Sequence, residues 1–337
     1  MWQPPPLPRT LTAALRDLDN PSPVVRASAL RDLVPYVDEA RARVATALTR
    51  ALSDGHHEVR AAAAWALGEA ALDEGVEALM KASDDDSILV VQRALEALGA
   101  IDDERATTRL EQALRDRRPE ARFQAILALP HRLDDRATDA LLAAAIDDED
   151  DTVRHIALRV AEERWPRPTD EAPRTAAAAR AVLDASDPSV RVAAALLLAA
   201  RGDDGGRDVL LAVVEQRLRP REIEDEAAAV EAAGALGLRA AIPGLERRAY
   251  GVGRLWRERC SFHAQVSLAR MGHERASATI LRDLDAWTIT TRNEAVLAAG
   301  RARLAAARPR LEALRKHPGR ADETLVRDAL AALDGPV

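Results

Sequence analysis

The stretch DGHHEVRAAAAWALGEA at residues 54–70 decides the fold. It opens on an acidic turn, Asp54-Gly55, steps through Val59-Arg60 into a run of alanines, and closes on Leu67-Gly68. The phrase returns as NPSPVVRASAL (20–30), DDTVRHIALRV (150–160) and SDPSVRVAAALLL (186–198). Self-similarity at roughly 33 residues marks stacked helical units, each too small to bury its own apolar face and stable only against its neighbours. Just upstream, Val44, Leu48 and Leu52 fall at i, i+4 and i+8, so residues 44–52 read as the first helix of a pair. Ser53-Asp54-Gly55 turns the chain, and residues 58–70 form the second helix, with Val59, Ala63, Ala66 and Leu67 inward and Gly68 loosening its end.

Aligned on the residue that enters the second helix, the copies run Arg26, Arg60, Val91, Arg122, Arg154, Arg191, Ala229, Ala264, Arg292 and Arg327. About ten antiparallel helix pairs therefore fill the chain. Composition agrees: Ala and Leu dominate an apolar content of 47%, and no alternating strand pattern occurs. The acidic clusters Asp84-Asp85-Asp86, Asp102-Asp103, Asp134-Asp135 and Asp203-Asp204 each sit just before a helix, which fits capping of backbone N–H groups better than cation binding. The run at 147–151 carries more charge than a cap requires and adds an acidic rim.

The net charge of −7 argues against a dedicated nucleic-acid binder. With Cys260 the single cysteine, no disulfide can form within the chain. The start, MWQPPPLPRT, lacks a secretory signal pattern, and no apolar stretch is long enough to span a bilayer, so a cytoplasmic location is expected.

The Asp turn, the Val-Arg step and the Ala-rich helix ending in Leu-Gly resemble the HEAT repeat family, in particular the bacterial HEAT-like repeats seen in phycobilisome lyases. The resemblance implies an all-α fold, a right-handed α-solenoid (HEAT-like superhelix) with first helices convex and second helices concave. It also implies a ladder in which turn Asp pairs with second-helix Arg: Asp19 or Asn20 with Arg26, Asp54 with Arg60, Asp116 with Arg122, Asp148 with Arg154, and Asp187 with Arg191. The expected organisation is a Pro-rich tail over 1–10 and a single solenoid over 11–337.

Two places break the rhythm. Residues 162–175 insert three prolines and read as an irregular loop or hinge. Residues 247–263 lack the acidic turn and form an irregular repeat, in which Arg247, Arg248, Arg254, Arg257 and Arg259 alternate with Tyr250, Trp256 and Phe262. Arg, Tyr and Trp dominate interface hot spots, which makes this segment the candidate partner-binding patch, with packing of the aromatics inside an irregular repeat as the alternative.

Catalytic readings find less support. HEAT-repeat deoxyhypusine hydroxylases hold two irons with His-Glu pairs, but His57-Glu58 and His273-Glu274 stand in inconsistent registers and His155 lacks a following carboxylate, so no metal and no cofactor is expected. HEAT-like alkylpurine DNA glycosylases use a basic groove around Trp and Asp, and no such motif surrounds Trp65, Trp165, Trp256 or Trp287; Trp65 reads as a core plug between alanines. Cys260 beside Arg257 and Arg259 has the neighbours of a reactive thiolate, against the alternative of a buried thiol. The function expected is a non-enzymatic protein–protein interaction scaffold, its protein or peptide partner carrying basic character to match the acidic rims. A glycosylase-like or bilin lyase-like enzyme, or a nucleic-acid binder acting through 247–263, stands as the alternative.

Overall fold

A computed structural model of the chain describes residues 9–165, 173–251 and 258–335. These residues form helices and turns with no strand among them, and the chain divides into two compact units, Met1–Val160 and Ala161–Val337. The boundary falls where the prolines of 162–175 interrupt the repeat.

Among the described residues the helices make ten A–B pairs. In the first unit these are α1 (Leu11–Asp17) with α2 (Pro23–Leu33), α3 (Val37–Ala51) with α4 (His57–Glu69), α5 (Val76–Ala82) with α6 (Ile88–Ala100), α7 (Glu104–Ala113) with α8 (Pro119–Ala128), and α9 (Asp135–Ile146) with α10 (Asp151–Arg164), whose end runs past the boundary. The second unit holds α11 (Pro173–Ala181) with α12 (Pro188–Ala200), α13 (Arg207–Val214) with α14 (Ile223–Ala235), α15 (Ile242–Tyr250) with α16 (Ser261–Arg270), α17 (Glu274–Asp283) with α18 (Ile289–Arg301), and α19 (Arg308–Arg315) with α20 (Glu323–Asp334). Arg9 and Thr10, read from sequence as tail, belong to the first pair. Thr10 caps α1, and Arg9 bonds Asp17 at 2.9 Å and Asp32 at 2.5 Å. The rest of that tail lies outside the described residues, as do residues 166–172 of the irregular loop; Glu162–Arg164 and Pro173–Thr175 are helical.

The fourth residue of each B helix sharpens the alignment. It is Arg26, Arg60, Val91, Arg122, Arg154, Arg191, Glu226, Ala264, Arg292 and Val326. Ala229 and Arg327 were therefore assigned out of register. The repeat arginine is missing from both helices, and alanines and leucines alone do not mark the entry.

Packing is densest between consecutive B helices, α2 on α4, α4 on α6 and α6 on α8 in the first unit, α14 on α16 and α18 on α20 in the second. Small residues set that spacing. A Cβ on Gly68 would lie 2.7 Å from the Ala97 Cα, and one on Gly234 would lie 2.6 Å from the Ser267 Cβ. Gly68 therefore does not loosen the end of α4; it lets the α4 backbone press against α6. Where a B helix ends, a left-handed residue turns the chain: Gly202, Gly237 and Gly272 do this without strain, whereas Ala71 (φ 47°) and Arg303 (φ 50°) take the same conformation with a Cβ.

The arginine ladder exists, with a different pairing. The Arg26 fork bonds Asp54 of the next repeat at 2.9 and 2.8 Å, Arg60 bonds Asp85 at 2.7 and 2.8 Å, and Arg122 bonds Asp148 at 2.8 and 2.7 Å. The remaining nitrogen reaches back to the repeat's own turn, donating to the carbonyls of Asn20, Asp54 and Asp116 respectively, at 2.8–2.9 Å. The expected pairs Asp54–Arg60, Asp116–Arg122 and Asp148–Arg154 are thus corrected. The carboxylate comes from the following repeat, because close B-helix spacing brings the next turn within reach of the fork. Arg154 pairs with Asp151 on its own helix. Where Val91 leaves a gap, Arg118 fills it, holding Asp116 and reaching the Asp85 carbonyl at 3.0 Å. Arg292 keeps the arrangement with backbone alone, donating to the carbonyls of Ala286, Trp287 and Arg320. Each ladder aspartate also accepts a backbone N–H two residues on, as Asp54 does from His56 and Asp85 from Ser87.

Hydrogen bonds from Arg26, Arg60 and Arg118 hold Asp54, Asp85 and Asp116 below the ordinary aspartate pKa, against the opposing effect of burial. Their contribution to stability is therefore complete above the unfolded value, about 3.9, and is lost as pH falls through the lower folded values. Urea midpoints measured down a pH series should hold steady above pH ~5 and drop below ~4, with a smaller drop in Asp85→Asn. Replacing the 6%-exposed Arg122 by Ala should cost about 2 kcal/mol, because Asp148 and the Asp116 carbonyl lose their donor. Gly68→Ala, a favourable change in an ordinary helix, should here lower the thermal midpoint by overpacking of about 1–3 kcal/mol.

Candidate functional site

Within 247–263 the structure separates two groups of the residues singled out from sequence. Arg247 and Arg248 end α15, Arg259 precedes α16, and these three line one cleft of about 610 Å³. Tyr250 and Phe262 do not line it; they are half-buried and packed on the core of the second unit. The Arg275 guanidinium stands 4.1 Å over the Tyr250 ring, and Phe262 meets His263 edge-on. Arg254, Trp256 and Arg257 lie outside the described residues.

Arg248 is the keystone of the cleft. Only 2% exposed, it donates to the Val213 and Val214 carbonyls at 2.9 and 3.0 Å, closing the C-terminus of α13, whose last carbonyls have no partner within the helix. Its fork also meets Glu226 at 2.6 Å and Glu258 at 3.3 Å. Glu226 occupies the ladder position of α14, so the charges are exchanged here: the B helix supplies the acid and the following repeat the arginine. One repeat earlier the turn carboxylate Asp187, which caps α12, pairs with Arg221 of the next turn while Arg191 turns to the Leu183 carbonyl, so the expected Asp187–Arg191 pair does not form. A buried charge must find a partner, and Arg248 finds two. Glu258 is fixed further by the Cys260 N–H at 2.9 Å and the Gln216 amide at 2.8 Å. Gln216 itself is left-handed, φ 62°, where α13 stops.

The rim carries Arg219, Arg221, Arg247 and Arg259, all exposed, and Val214, Pro220, Ile223 and Gly244 supply apolar surface. Sequence reading missed Gln216, Arg219, Arg221 and Glu226. Three arginines around Pro220, in a turn where most other repeats place aspartates, were the available signal.

A second charged group lies on the B helices of this unit. Glu231 on α14 meets His263 on α16 at 2.6 Å and Arg301 on α18 at 2.8 Å. Burial raises the pKa of Glu231, but the His263 hydrogen bond and the Arg301 charge outweigh it and hold the carboxyl below its ordinary value.

In the first unit, a groove of about 420 Å³ crosses α2, α4 and α6. Val24, Trp65 and Leu89 line it, with Arg31, Glu58 and Arg93 between them. Trp65 is therefore not a core plug: it is partly buried, one side on the core and the other in the groove. Trp165 is buried, and Trp287 stands 97% exposed on the turn before α18.

Among the described residues, no group of three or more His, Cys, Asp or Glu is placed to hold a metal ion. His57 stacks on His56 with ring centroids 5.0 Å apart, and His273 meets Glu246 at 3.0 Å rather than Glu274. Burial, helped by the negative charge of Glu226, pushes the fully buried Cys260 thiol up to about 11, the opposite of an activated thiolate. Alkylation by iodoacetamide at neutral pH should accordingly be very slow on the native chain and fast in urea, which mass spectrometry would read directly.

The HEAT repeats family matches residues 8–95 and 76–162. No curated protein sequence matches the chain. Among solved structures, the Escherichia coli protein YibA is similar with a TM-score of 0.54 at 20% identity, over 78% of this chain and 93% of that one. Kap121p is similar with a TM-score of 0.51 at 14% identity, over 95% of this chain and 41% of that one. The complex of CpcE and CpcF of phycocyanin lyase from Nostoc sp. PCC7120 aligns with a TM-score of 0.39 at 20% identity, over 73% of this chain and 95% of that one. Among the described residues, no helix is long and apolar enough to cross a membrane. Residues 8–162 thus match the HEAT repeats family, and the described helix pairs of the second unit continue the same helix–turn–helix plan.

Proposed function

We propose that the chain is a non-enzymatic scaffold that binds a protein or peptide partner on the B-helix face of its first unit. The observation that carries this reading is the groove across α2, α4 and α6, where Val24 (67% exposed), Leu89 (38%) and Trp65 present apolar surface on a fixed backbone. A frame already rigid before binding loses little freedom when a partner arrives, and a partly exposed Trp in a groove is a typical anchor. The groove's mixed charge, Arg31 and Arg93 against Glu58, suits a protein partner better than a polyanion. Exposed Asp84, Asp86, Asp147 and Glu149 on the A–B turns of this unit favour basic residues on that partner. One solved structure of Kap121p, similar in fold alone, is of that protein bound to Ste12p.

The test is affinity purification from the native cell with wild type and with Val24→Asp/Leu89→Asp. Both side chains are exposed, so circular dichroism should show an unchanged fold. A protein partner retained by wild type and lost by the variant is the expected result. Retention of no protein, or equal retention by both, overturns the reading.

A further inference from the structure

We propose that the arginine-rimmed cleft of the second unit docks an acidic, extended segment of a partner protein. This rests on the scaffold reading and names the chemistry that a second surface would take. The chain as a whole is acidic, at −7, and in the first unit the forks of Arg26, Arg60 and Arg122 are each consumed by a carboxylate of the next repeat. In the second unit the exchange of charges alters this balance. Arg248 takes up Glu226 and Glu258, and Asp187 takes up part of Arg221. Arg219 then has only a long contact to the Gln216 amide oxygen, 3.4 Å, and Arg247 and Arg259 meet no carboxylate among the described residues. Counting the lining side chains, five arginines (219, 221, 247, 248, 259) stand against three glutamates (215, 226, 258), a local excess of two positive charges in an acidic chain.

The shape selects among anions. A cleft of about 610 Å³ lies within the usual range for bound ligands, roughly 300–1,000 Å³, and suits a few residues of extended chain rather than a folded surface. Val214, Pro220, Ile223 and Gly244 give such a segment apolar surface beside the guanidiniums. Planar forks lining one cleft can match carboxylates two oxygens at a time. A nucleic-acid backbone instead asks for cations spaced along a track. The rim is also held in place: Arg248 ties the end of α13 to α14 and to Glu258, fixing its neighbours Arg247 and Arg259 on either side of the cleft.

Fluorescence anisotropy on the full chain tests this, with a labelled peptide of alternating Glu and Ser as probe. Peptides of alternating Lys and Ser or Gly and Ser, and a short single-stranded oligonucleotide, serve as comparisons. The acidic peptide should bind, the other two peptides should not, and rising salt should weaken the complex. Arg247→Glu/Arg259→Glu should weaken it about tenfold or more, the loss of at least one charge-assisted pair, with the melting curve unchanged. Arg247→Lys/Arg259→Lys should keep part of the affinity. Binding of the acidic peptide no tighter than the neutral one, equal binding by the charge-reversed variant, or tighter binding of the oligonucleotide overturns the proposal. So does a wild-type dimer in sedimentation that the charge-reversed variant abolishes, since a second copy would then be the occupant. If acidic-peptide binding fails while partner capture through Val24 and Leu89 persists, the cleft assignment falls and the scaffold reading stands.

Discussion

The structure depends on one arrangement: a guanidinium in the first turn of a B helix that serves two repeats at once. Arg60 satisfies the carbonyl of its own turn and the carboxylate of the next, so it fixes both the local turn and the register between repeats. Apolar burial supplies most of the cohesion but has no preferred direction. The fork supplies direction. Its planar geometry accepts a carboxylate in one pose only, and each aspartate it grips is already locked by a backbone N–H. Where the residue type changes, the role passes on, to Arg118 opposite Val91 and to backbone carbonyls around Arg292.

This dual role explains what could and could not be read from sequence. The Val-Arg step and its acidic turn announced the helix pairs, because short-range periodicity and turn chemistry are written locally. The partner of each arginine was not. Arg60 stands six residues after Asp54 and 25 before Asp85, and nothing in the spacing reveals that the fork prefers the distant carboxylate. That preference comes from close B-helix packing, which only Gly68 against Ala97 and its counterparts make visible. Trp65 shows the same limit: flanked by alanines, it looks internal, yet its ring lies at the edge of the B layer.

At α14 the second unit uses the same geometry with the charges exchanged. Glu226 in place of arginine, and Arg248 burying its fork against it, preserve the tie between repeats while placing the surplus cations on the rim. The sequence pointed to 247–263 because the phrase failed there. It did not point to Arg219 and Arg221, which come from a turn one repeat earlier and join the cleft only through folding. A site assembled from two turns is invisible to any reading that treats repeats one at a time.

The glycines of the B layer also have a mechanical meaning. With α4 and α6 in backbone contact at Gly68 and Ala97, the B side of a unit resists compression, as a packed solid does. The A helices make sparser contacts with one another, so they would be the side that yields were a unit to bend. Bending thus leaves the interval between successive B helices almost unchanged. Under the proposed scaffold function, the groove formed by Val24, Trp65 and Leu89 would then act as a ruler of fixed graduation, rejecting a partner whose anchors are spaced a fraction of a repeat too far apart.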